Sequence, residues 1–285
     1  MQTTGDISAM RKIVRALSRP LGFVPTMGAL HAGHMRLVDV AREECASVAA
    51  SIFVNPMQFG AGEDFAKYPR DVAGDSTKFV GAGVDVLFVP DVGAGAGAKA
   101  VAEADTMYPP GFSTTVDIGA MGMVFEGALR PGHFAGVATV VTKLLHIVQP
   151  DVLYLGQKDA QQTAVLRKVV RDLAFATEVR IVPTVREADG LALSSRNAYL
   201  NAHERSAAPD LYRALLSIRD ALAIGAKKED AIAAAHLAEG FELEYFDIVD
   251  ADTFESLENL RAPAFIIGAA RLGATRLIDN IWIAA

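Results

Sequence analysis

Two histidines spaced three residues apart, His31 and His34, are the side chains of this sequence best placed for phosphate chemistry. They lie in the segment Pro25-Thr-Met-Gly-Ala-Leu-His-Ala-Gly-His34, between a short apolar run and a helical pattern over residues 35–44. A helix N-terminus attracts anions through its unpaired backbone N–H groups and its dipole. Gly28 and Gly33 let the backbone approach a phosphate closely. Two imidazoles on one helical turn can both donate hydrogen bonds to phosphate oxygens, where charge builds up during attack at phosphorus.

Two simpler interpretations of the histidine pair compete with phosphate binding. A His-x-x-His pair can bind a metal ion, but zinc needs further ligands and no Cys or His cluster accompanies the pair. The two side chains can also serve only as caps of the helix. The strand–glycine loop–helix context favours a ligand site, because parallel sheets bind ligands at the carboxyl ends of their strands.

Two further polar segments suit a nucleotide. Gly156-Gln-Lys-Asp159 again follows a strand-like run and precedes a helix, so that Lys158 offers a counter-charge for phosphate and Asp159 an acceptor for ribose hydroxyls. Leu193-Ser-Ser-Arg-Asn197 offers two hydroxyls and the fixed donors of a guanidinium. Taken alone, each segment is more often a solvated cap or a turn.

Two glutamines stand near these segments and suit a small polar substrate. Gln58 follows the second strand-like run, and Gln162 lies one turn into the helix after Lys158. A carboxamide donates and accepts hydrogen bonds together, which a polar ligand requires. A surface position is the commoner interpretation for each glutamine considered separately.

Short apolar runs and helical patterns alternate over the first two thirds of the chain. This alternation predicts a parallel α/β sheet with helices on both faces. Stripes of Val and Leu predict buried helix faces over residues 137–148 and 165–173. Residues 91–135 show no clear period, and residues 93–97 predict a flexible turn. The predicted strands are residues 21–24, 48–54, 84–89, 152–155 and 179–182, each stopped by Pro, Asn-Pro or Gly.

The pattern changes after Thr184. Asn201 is a suitable cap for a helix that runs to about residue 224, and a second helix is predicted over residues 229–238. Strand-like runs follow over residues 243–249, 264–269 and 277–283. Helices followed by strands predict a smaller α+β domain with an antiparallel sheet. The expected domains are therefore residues 1–184 and residues 185–285.

Composition restricts the class of protein. With 285 residues, 51% hydrophobic and 21% charged, the chain is typical of globular proteins. The only cysteine excludes an internal disulfide, and neither a signal peptide nor a membrane span is evident, so a cytoplasmic location is expected. The net charge of −7 argues weakly against nucleic acid as a partner.

Four motifs in this order resemble those of the pantothenate synthetase family, the ligases that join pantoate to β-alanine. Met27 to His34 is similar to that family's HxGH signature, and Phe53-Val-Asn-Pro-Met-Gln-Phe59 to its second-strand segment. Gly156 to Asp159 with Gln161-Gln162 resembles its G-x-K-D…QQ stretch, and Leu193 to Asn197 its KMSKS-type loop. HxGH alone is shared by many nucleotidyltransferases, whereas the ordered set is specific.

The resemblance implies a fold, a set of ligands and a set of residue roles. It implies a Rossmann-like first domain, a smaller C-terminal lid domain, a homodimer, ATP as a substrate with Mg²⁺ on its phosphates, and no protein-bound metal. Gln58 would contact pantoate and β-alanine, and Gln162 would contact pantoate. The implied catalytic residues are His31, His34, Lys158 and Arg196. The implied ATP-binding residues are Met27, Gly28, Ala29, Leu30, His31, Ala32, Gly33, His34, Gly156, Gln157, Lys158, Asp159, Val185, Leu193, Ser194, Ser195 and Arg196.

Two positions depart from the family pattern. Gln157 stands where the resemblance leads us to expect an acidic residue, which alters the local charge beside Lys158. Leu193 stands where Met is usual, a change that conserves volume. Neither departure removes an implied phosphate ligand.

The implied reaction activates pantoate as an acyl adenylate, which β-alanine then converts to pantothenate, a step toward coenzyme A. Two other functions fit the same phosphate-binding residues: a nucleotidyltransferase that moves AMP or CMP to a phosphorylated acceptor, and a nucleotide sensor without catalysis. A tRNA synthetase fits worst, because no basic or anticodon-type extension follows the second domain.

Overall fold

The computed structural model describes residues 1–91 and 106–284. The chain divides into two compact units, Met1–Leu155 with Val165–Val182, and Gly156–Ala164 with Pro183–Ala285. The turn predicted over residues 93–97 lies outside the described residues. The domain boundary at residue 184 stays a prediction.

A six-stranded parallel sheet forms the first unit, with strand order β1-β4-β3-β2-β5-β6. The chain order reverses at β2, which pairs with β3 on one side and β5 on the other. Such a reversal is where open α/β sheets bind ligands, beyond the carboxyl ends of the strands. The strands are β1 (Gln2–Thr4), β2 (Leu21–Thr26), β3 (Ser47–Ile52), β4 (Val86–Phe88), β5 (Val152–Gly156) and β6 (Glu178–Val182).

The helices that accompany this sheet begin at side-chain caps in several cases. Asp6 accepts a hydrogen bond from Ala9 N at the start of α1, and Asp71 accepts one from Gly74 N at the start of α3. Each cap satisfies an N–H group that the helix itself leaves unpaired. The helices are α1 (Ile7–Ala16), α2 (Ala32–Glu44), α3 (Val72–Gly81), α4 (Glu126–Leu129), α5 (His133–Val148) and α6 (Ala160–Asp172).

Side chains of the central strands alternate between two buried clusters, one on each face of the sheet. Phe23 and Leu153 pack with residues of α1 and α5, whereas Val24 and Tyr154 pack with residues of α2 and α3. Successive side chains of a strand point to opposite faces, so continuous apolar runs bury both. Helices therefore cover both faces, as the sequence predicts.

The second unit contains a three-stranded antiparallel sheet and three helices. Strand β8 (Ala264–Leu272) lies between β7 (Phe241–Asp250) and β9 (Thr275–Ile283). Buried residues of α8 and of these strands share one core. The helices are α7 (Ala202–Ala207), α8 (Asp210–Ala223) and α9 (Lys228–Ala233). The predicted smaller α+β region with an antiparallel sheet is confirmed.

Several predicted elements differ from the structure. Strand β2 continues through Pro25 to Thr26, because its pairing with β5 is over by Phe23 and the N–H that proline lacks is not needed there. The single helix predicted after Asn201 is two helices, since Pro209 interrupts the run. Leu173, predicted as part of a buried stripe, lies past the end of α6 and is 48% exposed. Helix α9 ends at Ala233, five residues before the predicted end.

Among residues 1–91 and 106–284, no helix is both long and apolar enough to cross a membrane.

Candidate active site

A buried carboxylate anchors the turn that follows β2. Asp75 of α3 is 1% exposed and accepts hydrogen bonds from Ala29 N at 2.7 Å and Leu30 N at 3.0 Å. Lys78 lies 3.1 Å from the same carboxylate and donates to Leu30 O. The charge of Asp75 is thus matched by a cation and two N–H donors, which a buried carboxylate requires.

The turn depends on residue types as well as on Asp75. Gly28 has φ +86°, and a Cβ there would lie 3.1 Å from Asp75 Oδ2. Ala29 also has a positive φ, 52°, which is a strained conformation for a residue with a side chain. The two hydrogen bonds that Asp75 accepts hold that strained backbone in place, because they need the N–H groups of Ala29 and Leu30 to point toward α3.

His31 and His34 form a reciprocal cap at the start of α2. His31 Nδ1 accepts a hydrogen bond from Gly33 N at 3.1 Å, and His34 Nδ1 accepts one from His31 N at 3.4 Å. The two rings lie 4.1 Å apart between centroids. The arrangement is a capping box in which imidazole nitrogens replace the usual oxygens. Both histidines therefore cap the helix, and a ligand role for the pair stays a prediction.

This cap also determines which ring nitrogen carries the proton. An Nδ1 atom that accepts a hydrogen bond is unprotonated, so a neutral His31 or His34 carries its proton on Nε2. Nε2 lies on the far side of the ring from Nδ1 and is therefore directed away from the capped backbone. Capping and donation to a ligand are thus compatible in one side chain.

Gln58 is held in a buried polar cluster beside this turn. Its side chain is 8% exposed, its Oε1 accepts from Asn55 Nδ2 at 3.1 Å, and its Nε2 donates to Met27 Sδ at 3.1 Å. Asn55 also donates to Gly136 O and accepts from the Tyr108 hydroxyl at 2.6 Å. Burial raises the pKa of Tyr108, so its hydroxyl stays a donor.

Three side chains linked by hydrogen bonds hold the backbone at Gln58 in place. His133 Nδ1 donates to Gln58 O at 2.8 Å, and Arg130 donates to His133 Nε2 at 3.1 Å and to both carboxylate oxygens of Glu63. Burial and the adjacent Arg130 lower the pKa of His133 to about 4. The hydrogen bond from Arg130 lowers the pKa of Glu63. At neutral pH, His133 is therefore neutral and protonated on Nδ1.

Helix α5 approaches the Asn55–Gln58 turn at a glycine. A Cβ on Gly136 would lie 2.2 Å from Met57 O and 2.7 Å from Gln58 N. Only glycine allows this approach, since both neighbours are backbone atoms that cannot move aside. The approach is what brings Asn55 within hydrogen-bonding distance of the α5 backbone.

In the second unit, strand β9 holds the Gly156–Asp159 loop. Asn280 Nδ2 donates to the carbonyls of Gln157 and Lys158, and Asn280 Oδ1 accepts from Gln157 Nε2 at 3.1 Å. Lys158 Nζ lies 3.7 Å from Asp159 Oδ1. The side chain of Gln157 therefore pairs with the amide of Asn280.

The same strand holds the segment after Pro183. Arg186 donates to both carboxylate oxygens of Asp279 at 2.6 and 2.8 Å and stacks on the Tyr212 ring at 3.5 Å. Leu193 N donates to Val185 O at 3.0 Å. Ser194 Oγ accepts from Arg196 N at 3.2 Å and so caps a short 3-10 turn.

The structure joins some of the predicted site residues by contacts. Met27 contacts Gln58 in the first unit, and Val185 contacts Leu193 in the second. Gln162 lies in the first turn of α6, as predicted. Contacts also join neighbouring predicted residues: His31 with His34, Lys158 with Asp159, and Ser194 with Arg196. The assignment of these residues to ATP and pantoate stays a prediction.

Sequence reasoning missed the residues that hold the site residues in place. Two of them are far along the chain from the groups they bind: Asp75 lies 46 residues from Ala29, and Asn280 lies 123 residues from Gln157. Asn55 lies three residues from Gln58 and has a local signal, since it precedes Pro56.

Within the described ranges 1–91 and 106–284, no cluster of three or more His, Cys, Asp or Glu side chains could hold a metal ion.

The family model described as pantoate-beta-alanine ligase matches residues 2–282. The chain belongs to the pantoate-beta-alanine ligase family. Curated pantothenate synthetases from Sphingopyxis alaskensis and Chloroflexus aurantiacus are 48% and 50% identical to it. The alignments cover 99% of this chain and 99% of the first relative, and 94% and 93% for the second. Membership makes the chain an enzyme of the ligase class, in pantothenate biosynthesis.

Solved structures of the pantoate-beta-alanine ligase family have the same fold. A pantothenate synthetase from Thermus thermophilus matches with a TM-score of 0.90 and 46% identity over 100% of both chains. A Francisella tularensis pantoate-beta-alanine ligase, complexed with beta-gamma ATP and beta-alanine, matches with a TM-score of 0.73 and 34% identity. That alignment covers 99% of this chain and 97% of the other.

The capping role of His31 predicts a stability difference between two variants. His31→Ala removes the Nδ1 acceptor and should lower the free energy of unfolding by about 1 kcal/mol. His31→Asn keeps an acceptor at the cap and should stay within about 0.5 kcal/mol of the wild type. Urea denaturation measures both, and equal losses in the two variants would contradict the cap.

The lowered pKa of His133 predicts acid sensitivity of the fold. In the unfolded chain this histidine takes up a proton near pH 6.5, but in the folded chain only near pH 4. The unfolded state therefore binds more protons between these values, and stability falls as the pH falls, by roughly 3 kcal/mol over the window. Urea denaturation at pH 7, 5.5 and 4 measures this loss.

His133→Asn is the control for that titration, since its amide can still donate to Gln58 O but does not titrate. Its free energy of unfolding should fall less between pH 7 and pH 4. The loss from protonating Glu63 occurs at lower pH and remains in both proteins. Parallel pH profiles for wild type and variant would refute the role of His133.

Proposed function

We propose that this enzyme condenses (R)-pantoate with β-alanine in an ATP-dependent reaction that passes through pantoyl adenylate and releases AMP and pyrophosphate. The observation that carries the proposal is the reciprocal cap of His31 and His34 at the carboxyl end of β2. Each Nδ1 there accepts a backbone hydrogen bond, so the proton of each neutral ring is on Nε2. Family membership and the Francisella tularensis relative's ATP and beta-alanine ligands support the same substrates.

The first step forms the adenylate. A pantoate carboxylate oxygen attacks the α-phosphorus of ATP, and the bond from that phosphorus to the bridging oxygen of pyrophosphate breaks. This reaction needs positioning and neutralisation of charge more than a covalent nucleophile. We assign the residues 27–34 to ATP, with the Nε2–H groups of His31 and His34 donating to phosphate oxygens. Mg²⁺ enters with ATP as part of that substrate.

The remaining ATP contacts in this proposal come from segments later in the chain. Lys158 supplies a cation to the phosphates, and Asp159 an acceptor for the ribose. Ser194, Ser195 and Arg196 supply hydroxyl and guanidinium donors to the phosphates. The remaining ATP contacts are assigned to Gly156, Gln157, Val185 and Leu193. A lid role for residues 185–285 belongs to the same proposal.

The second step forms the amide. The β-alanine amine attacks the carbonyl of pantoyl adenylate, and the bond from that carbon to the AMP oxygen breaks. AMP leaves, and the nitrogen releases a proton to water. Gln58 is assigned to pantoate and β-alanine, and Gln162 to pantoate. The Nε2 of Gln58 donates to the thioether of Met27, which is a weak acceptor. A substrate oxygen can therefore replace the sulfur as its partner at little cost.

A cytoplasmic homodimer is also part of the proposal, as the family resemblance implies. The two rival functions, nucleotidyl transfer to a phosphorylated acceptor and nucleotide sensing, differ in their products. Nucleotidyl transfer leaves AMP bonded to its acceptor, and sensing gives no turnover.

ATP–pyrophosphate exchange tests the adenylation step. With a panel of small carboxylic acids, exchange should depend strictly on pantoate, because only that acid is expected to fit the glutamine contacts. Adding β-alanine should then release free AMP. Exchange supported equally by unrelated acids would contradict the pantoate assignment, and no exchange with any acid would contradict adenylation itself.

The role of His34 predicts a large rate loss without loss of fold. His34→Ala removes one preorganised donor, which typically costs about 10²–10³ in rate. His34→Gln keeps an acceptor that can complete the capping box, so it controls for a disturbed helix start. Both variants should lose pantoate-dependent exchange while their circular dichroism spectra stay unchanged. Near-normal exchange by His34→Ala would remove His34 from the mechanism.

A further inference from the structure

Asn280 has a position in the second unit that the chemistry above does not use. It lies on β9, is 2% exposed, and points its carboxamide at the loop that contains Lys158. Its Nδ2 group donates to Gln157 O at 3.0 Å and to Lys158 O at 2.9 Å, and its Oδ1 accepts from Gln157 Nε2. Both amide hydrogens and the carbonyl oxygen of this side chain are therefore engaged by one loop.

These bonds orient two consecutive peptide groups. In a trans peptide the C=O and the following N–H point in opposite directions. Because the carbonyl of Gln157 points at Asn280, the N–H of Lys158 points away from β9, and the same holds for the next peptide. The Asp159 N–H closes a turn onto Gly156 O at 3.4 Å, and Asp159 O accepts from Thr163 N at the start of α6. The loop is thus fixed at both its strand side and its helix side.

We propose that Asn280 is a positioning residue for ATP: it holds the main chain of Gln157 and Lys158 so that the Lys158 N–H and ammonium face the bound nucleotide. The inference rests on the proposed function, since it takes Lys158 to be an ATP ligand. Asn280 itself contacts main-chain carbonyls and not the nucleotide.

The main-chain hydrogen bonds of Asn280 do not depend on the residue type at 157. The two hydrogen bonds that Asn280 donates go to the main-chain oxygens of residues 157 and 158, which are present whatever the side chain at 157. The side chain of Gln157 adds only one bond, from its Nε2 to Asn280 Oδ1. The loop should therefore tolerate changes of the side chain at 157 far better than changes at 280.

The preceding residue of β9, Asp279, also positions a segment that is assigned to ATP. Asp279 holds Arg186 through two hydrogen bonds, and Arg186 also donates to Asn280 O. Arg186 directly follows Val185, which is assigned to ATP. Two consecutive residues of one strand therefore hold two segments that the proposed function assigns to the same ligand.

Direct binding of ATP to the full-length enzyme, measured by isothermal titration calorimetry, tests the inference. Asn280→Asp is isosteric but loses both donors, and Asn280→Ala loses all three bonds. Each should raise the Kd for ATP by at least about tenfold, the loss of roughly 1.4 kcal/mol of binding free energy. In exchange assays the KM for ATP should rise while the KM for pantoate stays within about threefold.

A matched variant separates positioning from general stability. Leu277→Ala weakens the same strand from its core-facing side, where Leu277 is buried with residues of α8, and should lower thermal stability without changing ATP affinity. Should Asn280→Ala fail to fold, the isosteric Asn280→Asp carries the comparison.

Three outcomes would overturn the inference. Wild-type ATP affinity in the Asn280 variants would remove its positioning role and leave the proposed function intact. An equal loss of affinity in Leu277→Ala would show that only strand stability matters. A wild-type enzyme that binds no ATP would overturn the proposed function together with the inference. ATP binding lost in the Asn280 variants alone supports the inference, even if exchange does not depend on pantoate.

Discussion

The hydrogen bonds from Ala29 N and Leu30 N to the Asp75 carboxylate are the interaction on which the first unit's site depends. They compensate for burying a carboxylate that is 1% exposed, and in return they hold Ala29 at a positive φ. The turn they fix leads directly into the cap at His31. Removing the carboxylate would leave two N–H groups without these acceptors at a strained backbone, so helix α3 is coupled to the turn before His31.

Three histidines of this chain show how backbone partners select a tautomer. His31 and His34 accept from main-chain N–H groups through Nδ1, so their neutral forms carry the proton on Nε2. His133 faces a main-chain carbonyl and the guanidinium of Arg130, so it carries the proton on Nδ1 and accepts through Nε2. The first two are thereby suited to donate outward, and the third to hold the main chain at Gln58.

The pattern of apolar runs was sufficient to predict the parallel sheet, the covering helices and the smaller antiparallel sheet. Local signals such as Asn201 marked helix starts correctly, whereas element ends were less well predicted. Strand β1 was missed because Gln2-Thr-Thr4 has no apolar run and lies at the sheet edge. Leu173 was misassigned because the helical spacing of apolar residues in the sequence continues past Asp172, where α6 ends.

In the candidate site, local sequence identifies the residues proposed to bind ligands but not the residues that hold them in place. Residues proposed to touch ligands stand in recognisable motifs, because the ligands demand particular groups at particular spacings. Asp75 and Asn280 act on main-chain atoms 46 and 123 residues away, and such pairings have no spacing rule. Only a folded chain reveals them.

The close approach at Gly136 has a mechanical consequence. With no side chain between α5 and the Asn55–Gln58 turn, and with Asn55 bonded to Gly136 O, these two pieces of chain have no room to slide against each other. The turn therefore cannot shift toward α5 without a clash between Met57 O and the Gly136 backbone.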